Sequence, residues 1–408
     1  MFSEKYSELR HNPFPLHLPY DDAKAHISQS GPGSLGLASL LYVQNLGEGG
    51  DIDHVILNSS KNIKSYLYNQ AVYAISPLYV TSFCNEHCLY CNYRAENKST
   101  EVTRIRLTES QLQAEIEFLV HQKGFRVIEL VYASDPRINI DSICHHIKLA
   151  HSVLSTVGGG VVGLNAEPFD VSGYQRLLQV GLDFAVVWQE TYNKERYELL
   201  HPGKTTKASF EHRLDVFDRM LKAGLKYFGM GVLSGLSDWR ADWNMLMQHE
   251  HYLFETYGEV PSILGLPRLK PAKGAEFRFS TTTPSNAQLR SALAIHNLYS
   301  PNTLAFVNTR ENFELCVSLA QGGGCLFTLD CSTIPGGYVL GTPGYQFPTG
   351  TFDSIKYAPL LCEHGLDPVF AWDFKMSHSF EANIYNYSGF LPLMNYSSNR
   401  LLKVGAGN

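Results

Sequence analysis

The chain has 408 residues, of which 44% are hydrophobic and 18% are charged, a composition that is typical of globular proteins and excludes collagen-like and intrinsically disordered chains. Its 33 basic and 39 acidic residues give a formal net charge of −6. This balance argues against a nucleic-acid partner, because such binding depends on neutralising phosphates with Lys and Arg. The sequence has no apolar run long enough to cross a membrane and no signal-peptide order at its start, so we expect no membrane partner and a cytoplasmic location.

Residues 1–70 are predicted to form an N-terminal helical extension that covers the bottom or one side of the fold. From residue 71 to residue 335, short apolar runs alternate with helical periodicity. The runs do not alternate between apolar and polar residues, which favours buried parallel strands. Eight strands are predicted in this region, namely Val72–Phe83, Arg126–Ala133, Gly160–Asn165, Phe184–Gln189, Tyr227–Leu233, Ile263–Leu266, Leu304–Asn308 and Cys325–Leu329.

Seven helices are predicted between these eight strands, and the first has a Thr108-x-x-Gln111 capping box at its start and Gly124 after its end. Eight repeats of strand and helix predict the α/β class and a closed (β/α)₈ barrel of the TIM type. An open doubly wound sheet is the alternative, although no G-x-G-x-x-G follows the first strand. Residues 336–408 are predicted to be an irregular C-terminal closing segment with one helix near Ile355–His364. The other predicted helices are Thr108–Lys123, Asp141–Leu154, Phe210–Lys222, Trp239–Tyr257, Asn286–Tyr299 and Asn312–Ala320.

Three of the eight cysteines form a C-x₃-C-x₂-C run just after the first predicted strand, at Cys84, Cys88 and Cys91. Three thiolates on one loop can ligate three irons of a [4Fe–4S] cube and leave the fourth iron open to a small molecule. A zinc site would need a fourth donor, which His87 could supply, but no second cysteine pair with zinc spacing follows. We therefore predict an iron–sulfur cluster here, with zinc as the alternative.

This cysteine run, with an aromatic residue before its last cysteine and at the top of the first strand, resembles that of the radical S-adenosylmethionine (SAM) enzymes. The resemblance implies that the open iron binds the amino and carboxylate groups of SAM and that Tyr90 lies beside the adenine. One electron, from a donor such as flavodoxin or ferredoxin, would then cleave SAM to a 5′-deoxyadenosyl radical. This chemistry belongs to the cofactors, while the barrel positions the substrate and excludes water.

From about residue 70 onward the chain resembles a narrower group, the radical SAM lyases of aromatic amino acids, and above all the 2-iminoacetate synthases of thiamine biosynthesis. The same group contains the tyrosine lyase that matures [FeFe]-hydrogenase and a tryptophan lyase. Seven segments occur in the order seen in this group, namely Pro77–Thr81, Gln189–Tyr192, Arg213–Arg219, Gly231–Asp238, Pro267–Pro271, Thr309–Glu311 and Ser332–Tyr338.

The resemblance assigns three further residues to SAM. Glu190 would hold the ribose hydroxyls, because a carboxylate offers two acceptor oxygens; alternatively, it is a residue of the next helix's first turn. Arg213 would bind the SAM carboxylate with its planar guanidinium, the alternative being a surface salt bridge. Ser134 lies in the loop after the second strand that meets the SAM amino group, where Tyr132–Pro136 departs from the Thr-Gly-Glu of the relatives.

The resemblance also assigns three residues to the substrate. Arg310 would hold the α-carboxylate so that the amine faces the radical carbon, and Tyr79 would orient the same head group. These two residues are the predicted catalytic pair, although Tyr79 could instead serve barrel packing. Arg268 would bind substrate, or else form a structural pair across the barrel top.

The implied reaction is cleavage of the Cα–Cβ bond of L-tyrosine to 2-iminoacetate (dehydroglycine) and p-cresol, the former for the thiazole of thiamine, with a thiazole synthase as a possible partner. A tryptophan-lyase-like activity and a non-catalytic, SAM-responsive scaffold are the alternatives. The second cluster of the hydrogenase maturase is not expected, because Cys325, Cys331 and Cys362 have a different spacing. We expect these three to be buried free thiols.

Overall fold

The computed structural model describes residues 1–10, 18–29, 35–98, 102–272, 274–275 and 283–377. Its centre is a closed barrel of eight parallel strands, which confirms the predicted (β/α)₈ fold class. The barrel strands are buried over most of their length, as expected for parallel strands covered by helices. They are β1 (Ala71–Thr81), β2 (Val127–Tyr132), β3 (Val161–Asn165), β4 (Phe184–Val186), β5 (Tyr227–Gly231), β6 (Ile263–Gly265), β7 (Leu304–Val307) and β8 (Leu326–Thr328).

The strand β1 closes the barrel because it pairs with two neighbours at different heights. Its residues Tyr73–Ile75 pair with β8, and its residues Ser76–Thr81 pair with β2. The register with β2 shifts between Tyr79 and Thr81. Such irregularities are common beside active sites, where they redirect a side chain, and this one lies just before the cysteine loop.

Helices surround the barrel and extend it at both ends of the chain. The predicted helix Phe210–Lys222 is divided into two at Asp215. A helix was predicted between β3 and β4 without bounds, and the helix Val171–Gln179 lies there, whereas the helix Lys194–Leu200 was not predicted. The helices are α1 (Phe2–Arg10), α2 (Tyr20–Gln29), α3 (Leu35–Ala38), α4 (Asp51–Tyr68), α5 (Glu109–Glu117), α6 (Ile140–Ser155), α7 (Val171–Gln179), α8 (Lys194–Leu200), α9 (Phe210–Leu214), α10 (Val216–Ala223), α11 (Trp239–Tyr257), α12 (Asn286–Tyr299), α13 (Phe313–Gln321), α14 (Ser354–Glu363) and α15 (Phe374–Ser377).

Helix α5 begins with the predicted capping box. The Thr108 hydroxyl accepts a hydrogen bond from the Gln111 amide, and the Gln111 side chain accepts one from the Thr108 amide. The α-helix ends six residues earlier than predicted, because Phe118–Gln122 form one wider π-helical turn. Periodicity did not reveal this turn, since its residues continue the apolar pattern.

The N-terminal extension packs on one side of the barrel. The Phe2 ring stacks on His249 of α11, with ring centroids 3.6 Å apart. In α4, the buried Lys64 ammonium donates hydrogen bonds to the carbonyl oxygens of Ala320 and Gly324. The extension therefore covers the side formed by α11, α12 and α13 rather than the bottom of the barrel.

The bottom of the barrel is covered by the last described part of the C-terminal closing segment. The sequence predicted the segment but not this position. A ninth strand, β9 (Asp367–Val369), pairs in parallel with the start of β1. The Trp372 indole donates a hydrogen bond to the Ala74 carbonyl oxygen, and Phe374 stacks on Tyr227 with centroids 4.6 Å apart. This strand has three residues and contains Pro368, so nothing in its pattern distinguished it from a loop.

The first part of the closing segment lies at the opposite, upper end of the barrel. The buried carboxylate of Glu115 in α5 accepts hydrogen bonds from the backbone amides of Tyr338, Val339 and Leu340. The Tyr338 hydroxyl donates to the Pro77 carbonyl oxygen in β1. These contacts fix the segment that continues to Gln346 and Phe347.

No helix within the described ranges is both long and apolar enough to span a membrane.

Candidate active site

A cavity of about 250 Å³ lies at the carboxyl ends of the barrel strands, the end at which TIM-type enzymes place their sites. Its walls come from the loops after the strands and from the closing segment. Of the predicted site residues, only Arg268 is absent from the lining. The predicted residues that line the cavity are Tyr79, Cys84, Cys88, Tyr90, Cys91, Ser134, Glu190, Arg213 and Arg310.

The cysteine loop follows β1 and presents all three thiols to this cavity. Backbone amides donate hydrogen bonds to two of the sulfur atoms, from Glu86 to Cys84 and from Tyr93 to Cys91, each at 3.4 Å. Hydrogen bonds to cysteine sulfur stabilise and tune iron–sulfur clusters. The donor set therefore fits a cluster that is held by three thiolates.

The loop offers three thiols, whereas a structural zinc site needs four donors. No group of three or more His, Cys, Asp or Glu side chains in the described part of the chain is placed to hold one metal ion. In a cubane each cysteine binds a different iron, so the three thiols need not converge on one point. Nor does His87 lie free, because its ring contacts the Glu96 carboxylate.

Tyr90 is held by a buried histidine. The His201 Nδ1 lies 2.8 Å from the Tyr197 carbonyl oxygen, which can only accept, so this nitrogen carries a proton. Burial, together with the positive charge of Lys207, lowers the pKa of His201 to about 3. The ring is therefore neutral, and its Nε2 accepts a hydrogen bond from the Tyr90 hydroxyl at 2.8 Å. This bond fixes the Tyr90 ring in the cavity wall.

Glu190 forms a buried ion pair that the sequence did not predict. The Lys207 ammonium lies 2.9 Å from its Oε1. Burial alone would raise the pKa of Glu190, but the positive charges of Lys207 and Arg213 lower it to about 2. The alternative that Glu190 starts a helix is wrong, because α8 begins at Lys194 after the N-cap of Asn193. A backbone φ of 72° turns Glu190 out of the strand direction.

Arg213 is a buried residue of the cavity wall, so the surface salt bridge weighed from the sequence is wrong. Its Nε donates to the Trp188 carbonyl oxygen at 2.7 Å. Its Nη1 lies 3.6 Å from a Glu167 oxygen but makes no hydrogen bond within the described residues. A buried guanidinium with an unused donor fits an incoming carboxylate.

Tyr79 and Arg310 lie in the same cavity and are both held by the closing segment. The Tyr79 hydroxyl donates to Gln346 Oε1 at 2.8 Å, and burial raises the pKa of Tyr79 well above its ordinary value. The Arg310 guanidinium stacks on the Phe347 ring, 3.5 Å from its centroid. Gln346 also donates from Nε2 to the Cys91 sulfur at 3.6 Å. One amide thus links the predicted substrate ligand to a predicted cluster ligand.

Arg268 was predicted to bind substrate, but in the structure it forms a structural ion pair instead. Its guanidinium forms a two-point ion pair with Glu311, and its Nη1 also donates to the Pro284 carbonyl oxygen at 3.0 Å. Because these contacts occupy the guanidinium and keep it out of the cavity lining, the structural pairing across the barrel top describes Arg268. Arg268 is therefore a structural residue and not part of the candidate substrate site.

The loop that carries Ser134 is tied directly to the cysteine loop. The Ser134 carbonyl oxygen accepts a hydrogen bond from the Asn85 amide at 3.0 Å. The next residue, Asp135, pairs with the Arg106 guanidinium and accepts a hydrogen bond from the Thr81 hydroxyl. The altered sequence after β2 is thus fixed beside the predicted cluster.

The expectation for the three other cysteines was only partly right. Cys325 and Cys331 are buried, but Cys362 is exposed on α14. Cys331 lines the cavity. Helix α14 is a surface helix with one buried and one solvent-facing side, and Cys362 lies on the solvent-facing side. The sequence did not identify which side of this helix is exposed.

Several cavity residues were missed by the sequence analysis. Glu129 had a detectable signal, because it is the single charge in the apolar strand Val127–Tyr132, where a buried carboxylate is rare. Lys207 and Gln346 had none, since each lies in irregular chain without a motif. The missed lining residues with polar or aromatic side chains include Glu129, Asn165, Glu167, Trp188, Lys207, Phe306, Gln346 and Phe347.

Replacing Glu129 by glutamine is expected to remove a pH-dependent loss of stability. Burial raises the pKa of Glu129 to about 7, although the Asn165 hydrogen bond opposes the shift. Between its unfolded pKa of about 4.3 and this value the folded protein binds the extra proton, so its free energy of unfolding falls as pH rises. Urea unfolding of the cluster-free proteins at pH 5 and pH 8 should show wild type losing about 2.5 kcal/mol more than Glu129→Gln. Parallel losses would contradict this.

The chain is similar to several known proteins. The sequence profile of the radical SAM superfamily matches residues 78–243, which contain all three cysteines of the loop. The 2-iminoacetate synthase of Escherichia coli (strain K12) is 29% identical over 305 residues, covering 73% of this chain and 77% of that protein. The 3-methylornithine synthase of Methanosarcina acetivorans is 23% identical over 154 residues, covering 38% and 42%. These matches confirm the resemblance to radical SAM proteins.

Two solved structures share the fold. The HydG maturase of [FeFe]-hydrogenase superposes with a TM-score of 0.79 at 24% identity, covering 99% of this chain and 98% of that one. The methylornithine synthase PylB superposes with a TM-score of 0.66 at 17% identity, covering 88% and 99%.

Proposed function

We propose, from the premise that this chain carries a radical SAM domain at residues 78–243 and is a radical SAM enzyme, that it is a lyase of aromatic L-amino acids. Its preferred reaction is cleavage of the Cα–Cβ bond of L-tyrosine to 2-iminoacetate and p-cresol. The relationship to 2-iminoacetate synthase supports this choice. In that role the product would feed the thiazole of thiamine, with flavodoxin or ferredoxin as electron donor and a thiazole synthase as partner.

The observation that carries the proposal is the shared cavity of the three thiols and the pair Tyr79 and Arg310. Arg310 supplies a planar cation for an α-carboxylate, and its stacking on Phe347 fixes the plane of the guanidinium. Tyr79 offers a hydroxyl whose proton stays on the oxygen, because burial raises its pKa. Together the two side chains would orient the head group of an amino acid.

The cofactors of the superfamily are a [4Fe–4S] cluster and SAM, and when bound they supply a 5′-deoxyadenosyl radical that removes a hydrogen atom. The residues of this chain would place them. Arg213 would pair its unused Nη1 with the SAM carboxylate. Glu190, which Lys207 and Arg213 keep ionised, would accept hydrogen bonds from the ribose hydroxyls.

The upper part of the closing segment would exclude water. Gln346 and Phe347 form part of the cavity lining, and the carboxylate of Glu115 fixes the chain before them. Excluding water protects a reactive radical from side reactions. This segment would therefore act as a fixed cover of the cavity. Its Gln346 contacts both Tyr79, a predicted substrate ligand, and Cys91, a predicted cluster ligand.

Product analysis tests this function. Anaerobically reconstituted protein, with SAM and dithionite, is expected to convert L-tyrosine to p-cresol and 2-iminoacetate, the latter detected as glyoxylate after hydrolysis. L-Tryptophan is the second arm, and formation of a methylindolic acid from it would replace the tyrosine assignment with a tryptophan-lyase-like one. Failure to cleave SAM with either amino acid would favour the non-catalytic scaffold.

A further inference from the structure

Glu129 lies deep in the barrel and is not used by the proposed reaction. It occupies the middle of β2, next to Pro77 of β1 in the sheet register. Only 3% of the residue is exposed, yet it lines the cavity. Buried carboxyl groups in strands are uncommon because burial disfavours their charge. Its position inside the cavity therefore points to a ligand rather than to the stability of the barrel.

One oxygen of this carboxyl group is available. Asn165 of β3 donates a hydrogen bond from Nδ2 to Glu129 Oε1 at 3.1 Å. No described residue donates to Oε2, and no Lys or Arg side chain forms an ion pair with Glu129 within the described ranges. Asn165 thus fixes the orientation of the carboxyl group and leaves an acceptor facing the cavity.

The neighbouring wall suits a flat ring. Trp188 and Phe306 both line the cavity, and their rings meet edge to face with centroids 6.1 Å apart. Gly265 of β6 has no side chain, and a Cβ atom there would collide with the Trp188 ring. Aromatic walls with a single polar acceptor are typical of pockets that bind a ring with one polar substituent.

The depth of Glu129 matches the length of such a side chain. Tyr79, which would hold the amino-acid head group, pairs with Val131, two residues further along β2 than Glu129. Two strand residues correspond to roughly 6.6 Å. This distance is comparable to that between the Cα atom and the hydroxyl oxygen of tyrosine. The head group and the end of the side chain can therefore be bound at two levels of one strand pair.

From this arrangement we propose that Glu129 is a specificity-determining residue, which accepts a hydrogen bond from the phenol hydroxyl of the substrate and selects tyrosine over phenylalanine. The inference rests on the proposed function, because it takes the amino-acid head group to lie at Tyr79 and Arg310. A site that hydrogen-bonds a substrate hydroxyl rejects the analogue without it, since its acceptor is then left buried and unpaired.

Equilibrium binding of L-tyrosine and L-phenylalanine to the reconstituted protein with SAM, in the absence of reductant, tests the inference. At pH 8, where Glu129 is ionised because its pKa is about 7, the wild type should bind tyrosine about 10- to 100-fold more tightly, the range expected for a hydrogen bond to a charged group. In Glu129→Leu this ratio should fall to near one, whereas Glu129→Gln, which keeps an acceptor oxygen, should retain part of it. Because the measurement is a ratio, a general loss of folding or affinity does not alter it.

Glu250→Gln is the matched control, because Glu250 is a buried carboxylate of α11 that pairs with His296 outside the cavity lining. It should keep the wild-type ratio. An unchanged ratio in Glu129→Leu, in a protein whose wild type cleaves tyrosine, would overturn the inference alone. Tight binding of L-lysine that depends on Glu129 would also overturn it, in favour of an ammonium ligand. Cleavage of SAM without binding of any aromatic amino acid would overturn the proposed function as well.

Discussion

Replacing Cys88 by alanine is expected to abolish cluster binding and, with it, cleavage of SAM. Cys88 is the middle cysteine of the loop in sequence, is buried, and lines the same cavity as the other two. Removing it leaves two thiolates for a cube that, in our proposal, this loop would bind with three. After anaerobic reconstitution, the broad absorbance near 400 nm and the bound iron should fall to background, and 5′-deoxyadenosine should not form.

Cys144→Ala is the control for this experiment, because Cys144 is a free thiol of α6 that lies outside the cavity lining. This variant should keep the wild-type iron content and the wild-type rate of SAM cleavage. Full iron content and turnover in Cys88→Ala would contradict the assignment of the cysteine loop. Retention of iron with loss of turnover would contradict the part of the assignment that makes Cys88 a cluster ligand.

Replacing Arg310 by methionine is expected to have the second largest effect. The guanidinium faces the cavity and stacks on Phe347, and methionine keeps part of the apolar volume while removing the charge. Loss of one partner of a buried charge pair costs about 2–5 kcal/mol, or roughly 30- to several-thousand-fold in kcat/KM. Kinetics with L-tyrosine should show the loss mainly as a higher KM, while cluster content stays unchanged.

Arg240→Met provides the comparison, because Arg240 also stacks on an aromatic ring, 4.5 Å from the centroid of Trp239, but does not line the cavity. It should leave the KM for tyrosine close to the wild-type value. An unchanged KM in Arg310→Met would show that the α-carboxylate is bound elsewhere. Loss of the cluster in this variant would instead assign Arg310 to the iron site.

The barrel and the cysteine loop could be predicted because their signals are local. Each strand is a short apolar run between turn residues, and the capping box of Thr108 and Gln111 defines the start of α5 to the residue. The three cysteines lie within eight residues of one another, so the loop after β1 brings them together without any contact from distant parts of the chain. Glu190 and Arg310 follow strands β4 and β7, and Arg213 lies on helix α9. The carboxyl ends of the barrel strands meet at one face, so the sequence could place these residues on the same side of the barrel.

The contacts between distant segments could not be predicted in this way. Gln346 lies 267 residues from Tyr79 in sequence and contacts it through a segment that has no regular structure. Arg268 was placed in the site because of its motif, but Glu311 binds its guanidinium, and this pairing depends on how two loops meet. Lys207 determines the charge of Glu190, although no spacing in the sequence connects the two residues.

The proposed reaction is tested most directly by the source of the hydrogen atom that converts the 5′-deoxyadenosyl radical to 5′-deoxyadenosine. The reconstituted enzyme is incubated with SAM, dithionite and L-tyrosine in D₂O, where the amino hydrogens exchange for deuterium. If Arg310 and Tyr79 present the amine to the cofactor, 5′-deoxyadenosine should carry a single deuterium and form in equal amount with p-cresol, as read by mass spectrometry. Formation of unlabelled 5′-deoxyadenosine at a rate that does not depend on tyrosine would contradict the account.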